Sequence, residues 1–120
     1  MGQSQNEDFD NFSQEQLDAL VNLHLRFLEG RLGGRRAALK NTDLSGLSLS
    51  QKDLRQASFI GCLMMGMNLS GANFQEASLY ACDLSNSNLK HTIFVRADLR
   101  GARIENALLE GADLEKADLR

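Results

Sequence analysis

The chain has 120 residues and a formal net charge of −3, from 13 Lys and Arg against 16 Asp and Glu. This length suits one domain, and the excess of acidic residues excludes a basic nucleic-acid-binding protein. Hydrophobic residues make up 42% of the chain and aromatic residues 6%, with no Pro and no Trp. These values exclude a disordered chain and predict a narrow core filled by Leu, Ala and a few Phe.

Residues 1–12 are predicted to form a disordered tail, because this polar and acidic stretch carries no hydrophobic pattern. The apolar stretches of the chain, such as Leu63-Met64-Met65, are far too short to cross a bilayer. Two cysteines are too few for a disulfide scaffold. We therefore expect a soluble cytoplasmic protein with reduced thiols.

Residues 13–34 are predicted to form a capping helix and a junction. Ser13 and Gln16 have the spacing of a capping box, and Phe12 and Leu17 flank it as a hydrophobic staple. Apolar residues then recur at helical spacing, and the glycines from Gly30 to Gly34 end the helix. His24 lies among these leucines, where we interpret it as a packing or capping residue. We expect the helix to cover one end of the domain that follows.

A five-residue repeat fills residues 35–120, and its phase is set by blocks that begin at residue 37. The third position of every block is large and apolar, from Leu39 to Leu119, and the first position is mostly Ala or another small residue. A period of five fits neither an α-helix nor a flat strand. Short extended segments joined by a corner every five residues therefore predict a solenoid.

Three blocks carry the repeat in a form that is similar to a known family: Ala72–Glu76, Ala97–Gly101 and Ala112–Lys116. They resemble the bacterial pentapeptide-repeat proteins, whose motif is A-(D/N)-L-x-x. The resemblance implies an all-β solenoid, a right-handed quadrilateral β-helix with four blocks per coil. Residues 35–120 would then form about four coils behind the capping α-helix.

Four blocks per coil would place residues 20 apart above one another, so Phe74 and Phe94 should stack. Cys62 and Cys82 would occupy small inward positions on adjacent coils. We interpret them as free, buried stand-ins for Ala, with a redox pair or a two-thiolate metal site as the alternative. Lys52 also stands at an inward position, from which its ammonium should reach water.

The repeat is still regular at Leu119 and Arg120. We expect either that two copies form an end-to-end homodimer through the C-terminal coil or that the chain continues in a longer protein. The regularity of the last blocks favours the longer protein, because terminal capping repeats are usually atypical.

The sequence carries no catalytic, cofactor-binding or metal-binding motif. His24 and His91 share no motif with either cysteine. The stretch Gly33-Gly34-Arg35-Arg36 is interpreted as a flexible junction, with an anion-binding loop as the alternative. Asp and Asn at the second positions are interpreted as structural corner residues.

Apolar side chains at outward positions form a candidate protein-contact patch, or else an ordinary scatter of exposed residues: Ile60, Leu63, Met65 and Tyr80. The predicted function is a non-catalytic scaffold or protein–protein interaction module with a protein partner, and with no direct contact to nucleic acid or membrane. The alternative is a DNA mimic that binds DNA gyrase, as some members of the family do. Net charges of about +1, −2, 0 and 0 on the four sides disfavour this alternative.

Overall fold

The fold is a stack of parallel coils behind one helix. A computed structural model describes residues 9–120. Its elements are β1 (Asp10–Asn11), α1 (Gln14–Leu28), β2 (Ala38–Lys40), β3 (Thr42–Asp43) and β4 (Ser58–Ile60). β1 pairs in parallel with β3, and β2 pairs in parallel with β4. Single parallel bridges continue the stack to residue 118, and each joins residues 20 apart. The predicted spacing of neighbouring coils is confirmed.

A left-handed backbone conformation marks every corner of the coil. All sixteen fifth positions between residues 41 and 116 have φ between +50° and +80°, and ten of them are not glycine. At a typical corner the Leu47 N–H donates to the Leu44 carbonyl over 3.1 Å, which closes a turn across Ser45 and Gly46. A positive φ at the third residue makes this a type II turn. Four such corners in 20 residues give each coil four sides.

The core is a column of third-position side chains. Third positions from Leu44 to Phe94 are at most 1% exposed. Phe59 and Phe74 meet edge to face with centroids 6.2 Å apart, and Phe74 stacks on Phe94 at 5.6 Å. The predicted stack of Phe74 and Phe94 is confirmed. Lys52 is exposed, as expected for a charge placed at an inward position near the start of the solenoid.

The helix α1 begins and ends at the residues that the sequence indicated. The Ser13 hydroxyl accepts the Gln16 N–H over 3.1 Å, and the Gln16 side chain accepts the Ser13 N–H over 2.8 Å. Gly30, at φ +69°, turns the chain so that the Arg31 N–H donates to the Arg26 carbonyl over 2.8 Å. This is a Schellman motif. Within residues 9–120, no helix has the length and apolar character that crossing a bilayer requires.

His24 connects α1 to the first coil. Leu17, Val21 and His24 form the buried face of the helix. The His24 Nδ1 accepts the Ala37 N–H over 2.9 Å, so its Nε2–H donates to the Arg55 carbonyl over 2.9 Å. Burial lowers the pKa of His24 below its ordinary value, which keeps the ring neutral. The predicted packing role of His24 is confirmed.

The prediction that residues 1–12 form a disordered tail is wrong at its C-terminal end. Asp10–Asn11 form β1, and the Phe12 N–H donates to the Asp43 carbonyl over 3.4 Å. This pairing covers an edge of β3 that would otherwise leave backbone groups unpaired. The Gln14 side chain continues it with two hydrogen bonds to the Ser48 backbone, at 2.8 and 2.9 Å. The first eight residues lie outside the described part of the chain.

The last coil leaves part of the core uncovered. Third-position side chains are buried in the earlier coils. In the last blocks, however, Ile104 and Leu109 are each 37% exposed and Leu119 is 58% exposed. They line a cavity of about 220 Å³ together with Phe94 and Leu99. A coil packed on this end, or another surface, would cover them.

At one corner, the Ser87 hydroxyl lies between the two backbone groups that would otherwise close the turn. Met67 takes a first position where most blocks have a small residue, and it is buried. Its N–H donates to the Ser87 Oγ over 3.0 Å, and the Ser87 hydroxyl donates to the Met64 carbonyl over 2.7 Å. Ser87 therefore bridges two buried backbone groups of the coil before its own.

We expect Ser87→Ala to destabilise the fold by about 1–3 kcal/mol, although Ala is the commonest residue at first positions. The substitution leaves the Met67 N–H and the Met64 carbonyl buried without their partner. The matched control is Ser85→Ala, because the buried Ser85 hydroxyl has no hydrogen-bond partner within the described chain. Urea unfolding of both variants checks this, and equal midpoints would contradict the bridging role.

We also expect stability to fall as the pH drops below about 6.5, the pKa of histidine in an unfolded chain. Below this pH, His24 binds a proton in the unfolded chain. In the folded chain it stays neutral, because burial lowers the pKa of His24. The charged groups that act on His24 are Asp53, Arg36 and Arg55, and the hydrogen-bonded pair with Arg55 lowers the pKa of Asp53.

The control variant for this pH effect is His24→Gln, whose amide offers the same donor and acceptor without titrating. Unfolding by urea should show a smaller loss between about pH 7 and about pH 5.5 in the variant than in the parent chain. An equal loss in both proteins would mean that another group is responsible.

Candidate protein-contact surface

Two of the four predicted contact residues lie side by side. Ile60 and Tyr80 hold fourth positions on neighbouring coils, whose backbones are joined by the Gly61 N–H and the Tyr80 carbonyl at 2.9 Å. Tyr80 is 45% exposed and Ile60 is half-buried. The guanidinium of Arg100, one coil further along, lies 5.3 Å from the centre of the Tyr80 ring. We call Ile60, Tyr80 and Arg100 the Tyr80 surface.

The other two residues lie around a corner. Leu63 and Met65 follow the turn at Gly61 and are half-buried on the next side of the coil. Leu63 pairs with Asp43 and Asp83 on the coils before and after it. The structure thus separates the predicted patch into the Tyr80 surface and two apolar side chains on a more polar side.

Arg100 is a member of this surface that the sequence analysis missed. Its guanidinium donates to both carboxylate oxygens of Asp98, at 2.9 and 2.8 Å. This pair lowers the pKa of Asp98 and raises the pKa of Arg100. The signal was present in the sequence, because Arg100 stands 20 residues after Tyr80. Leu108 was also missed, although it stands at an outward second position and is 52% exposed.

The Asp and Asn side chains at second positions are occupied by the backbone. Each accepts the N–H of the residue two positions later, as Asp43 does from Ser45 at 3.0 Å. The nine acceptors are Asp43, Asp53, Asn68, Asn73, Asp83, Asn88, Asp98, Asp113 and Asp118. Their predicted structural role is confirmed, because these carboxylates and amides bond the backbone at the corners of the fold.

Ion pairs between neighbouring positions neutralise much of the surface charge. Asp53 pairs with Arg55 at 2.7 Å, and Asp118 pairs with Arg120 at the same distance. Hydrogen bonds from Arg120 lower the pKa of Asp118 to about 2. Asp53 and Asp118 therefore do not present unpaired negative charge on the solenoid.

The two cysteines are free and buried, at 1% and 0% exposure. The Cys82 thiol donates to the Phe59 carbonyl over 2.8 Å. Contact with Cys62 and burial raise the pKa of the Cys82 thiol well above its ordinary value. Among residues 9–120, no cluster of three or more His, Cys, Asp or Glu side chains is placed to hold a metal ion.

The repeat and its 20-residue pairing agree with a comparison of the sequence against known families. The family described as pentapeptide repeats matches in eight copies, over residues 37–74, 48–86, 68–106 and 82–120. The chain belongs to the pentapeptide-repeat family. No curated protein matches the sequence.

Solved pentapeptide-repeat structures resemble this chain over part of their length. One is a protein of the Arabidopsis thaliana thylakoid lumen, with 27% identity and a TM-score of 0.48, covering 72% of this chain and 56% of its own. Another is HetL of the cyanobacterium Nostoc, involved in heterocyst differentiation regulation, with 30% identity, a TM-score of 0.38, and coverage of 64% and 40%.

A third solved structure is a trypsin-treated form of QnrB1, a plasmid-mediated fluoroquinolone resistance protein. It has 27% identity and a TM-score of 0.45, covering 69% of this chain and 45% of its own. This pentapeptide-repeat chain thus spans about half the length of the solved relatives described here.

We expect both cysteine thiols to stay unreactive in native buffer, because Cys62 and Cys82 are buried and a reagent cannot reach them. Titration with dithionitrobenzoate should release no rapid colour from the native protein and the colour of two thiols after denaturation. The variant Glu76→Cys, at an exposed position, would be the positive control. Two thiols that react at once in the native protein would contradict the burial.

Proposed function

We propose that this pentapeptide-repeat chain is a non-catalytic scaffold, a protein–protein interaction module on a right-handed quadrilateral β-helix in a bacterial cytoplasm. One observation carries the proposal. All nine second-position Asp and Asn side chains bond the backbone of their own corner, so these residues serve the fold. What remains for function is the outward face of a rigid coil stack.

The Tyr80 surface is the part of that face best suited to a protein partner. Tyrosine and arginine are enriched where interfaces gain most of their binding energy. Here Arg100 is held over the Tyr80 ring and fixed by Asp98, so neither side chain must be ordered on binding. Ile60 extends the apolar area onto the preceding coil.

The alternative function is a DNA mimic that binds gyrase. A mimic needs a dense anionic surface that competes with DNA for a cationic channel. In this chain Arg and Lys side chains pair with the acidic side chains along the coils, at Asp53, Asp98, Glu105, Glu110 and Asp118. These ion pairs disfavour the mimic.

An end-to-end homodimer through the C-terminal coil stays a prediction.

A photo-reactive amino acid at position 80 tests the proposed surface. We expect a discrete cross-linked protein partner in cells when the group replaces Tyr80, and none when it replaces Glu76, an exposed residue at the neighbouring corner. The variant Ile60→Asp should weaken the cross-link at position 80, because it places a charge beside the ring. The same adducts from positions 80 and 76 would contradict a specific surface.

A supercoiling assay separates the two functions. The purified chain should neither inhibit gyrase nor protect it from a fluoroquinolone, because arginines pair with Asp53, Asp98 and Asp118 on the coils. Protection at low micromolar protein would overturn the scaffold proposal in favour of the mimic.

A further inference from the structure

Exposed apolar side chains outside the coils gather at one place, where α1 joins the solenoid. Leu23 and Phe27 are each 37% exposed on the helix, and Leu32 in the following turn is 96% exposed. A leucine this exposed carries the full cost of contact with water. The repeat does not explain it, since Leu32 precedes the first block.

Three hydrogen bonds connect the segments that carry these side chains and three arginines. The Arg26 Nη1 donates to the Leu32 carbonyl over 3.5 Å, and the Arg35 N–H donates to the Leu23 carbonyl over 3.0 Å. Arg31 is joined to Arg26 by the Schellman hydrogen bond at 2.8 Å. We call Leu23, Arg26, Phe27, Arg31, Leu32 and Arg35 the junction surface.

Gly34 sets the path of the chain through the junction surface. The chain returns so close to the helix that a Cβ on Gly34 would lie 2.4 Å from the Phe27 backbone nitrogen. Only glycine fits there, and this close approach fixes where Arg35 leaves the helix.

The segment that carries most of the junction surface is basic, in a chain that is acidic overall. Residues 26–40 contain Arg26, Arg31, Arg35, Arg36 and Lys40 but one acidic residue, Glu29. This gives the segment a formal charge of +4, whereas the whole chain carries −3. Arg31 pairs with Glu29 at 3.4 Å, and both side chains are more than half exposed. Within residues 9–120, Arg26, Arg35 and Arg36 form no ion pair.

We propose that the junction surface docks this protein peripherally on an anionic lipid surface. Clustered arginines bind anionic headgroups, and leucine and phenylalanine side chains beside them enter the boundary between headgroups and acyl chains. Arginine side chains also suit this boundary, because their stems lie along apolar groups while the guanidinium stays with the headgroups.

An acidic protein would satisfy the arginines but fits the apolar part less well. Leu32 projects from a turn between Arg31 and Gly33, and burying it against a protein would require a matching pocket in the partner. A lipid surface accepts a projecting leucine without one. This docking departs from the expectation of no membrane contact, which rested on the lack of a spanning segment. It needs no such segment, because α1 packs on the protein through Leu17, Val21 and His24.

Vesicle sedimentation with the full chain tests this docking. We expect binding to vesicles that contain phosphatidylserine, none to vesicles of phosphatidylcholine alone, and release as salt rises well above about 0.1 M. Removing two arginines, in Arg31→Gln/Arg35→Gln, should weaken binding by about fivefold for each. Leu32→Ser should weaken it by at least about tenfold.

Matched controls alter the same residue types on the coils. Arg96→Gln/Arg103→Gln changes the net charge equally, and Leu108→Ser removes a leucine that is 52% exposed. Neither control should affect vesicle binding. Thermal melts of all variants should show that each one folds. Failure to bind phosphatidylserine vesicles, or equal losses in the controls, would overturn the proposal. Binding to a polyglutamate peptide in place of vesicles would assign the surface to an acidic protein. None of these outcomes bears on the cross-link at Tyr80.

Discussion

The whole structure depends on one local constraint, a left-handed residue at every fifth position. That conformation costs an L-residue roughly 1–2 kcal/mol, and ten of the sixteen corners adopt it without glycine. The cost is offset by what the corner permits. Each turn brings the next third-position side chain inward and keeps the backbone within hydrogen-bonding distance of the coils on either side. A single corner would be unfavourable in isolation, so the corners are stable only as part of the stack.

This constraint also decides which side chains are free for function. Inward positions fill a narrow column, and second-position carboxylates and amides bond the backbone at their corners. Chemistry that needs clustered acids, thiols or imidazoles has little room in such a molecule. His24, which in another setting could serve as a base, is neutral and bonded on both ring nitrogens. Recognition by outward side chains is the role that we propose, with the Tyr80 surface and the junction surface as two chemically different candidates.

The two ends of the stack differ in how far other residues cover the core. At the start, α1 and β1 together cover the first coil, through an apolar face, the His24 bridge and parallel pairing with β3. At the other end, Ile104, Leu109 and Leu119 remain partly open to solvent. The same residue type at the same repeat position is thus buried or exposed according to whether a neighbour packs against it. In a repeat fold, burial is a property of the neighbouring coils.

The sequence by itself determined the phase of the repeat, the inward residues and the start and end of the helix. These features are set within about five residues, by the alternation of large and small side chains and by the capping box at Ser13. The tertiary structure alone decided the features that depend on contacts between distant residues. β1 forms because β3 offers an edge, and the Ser87 hydroxyl accepts the N–H of Met67, which lies one coil earlier. Likewise, Leu32 and Arg35 form one surface because Gly34 lets the chain lie against Phe27. A single sequence carries the local pattern, but hydrogen bonds across 20 or more residues depend on where folding places the next coil.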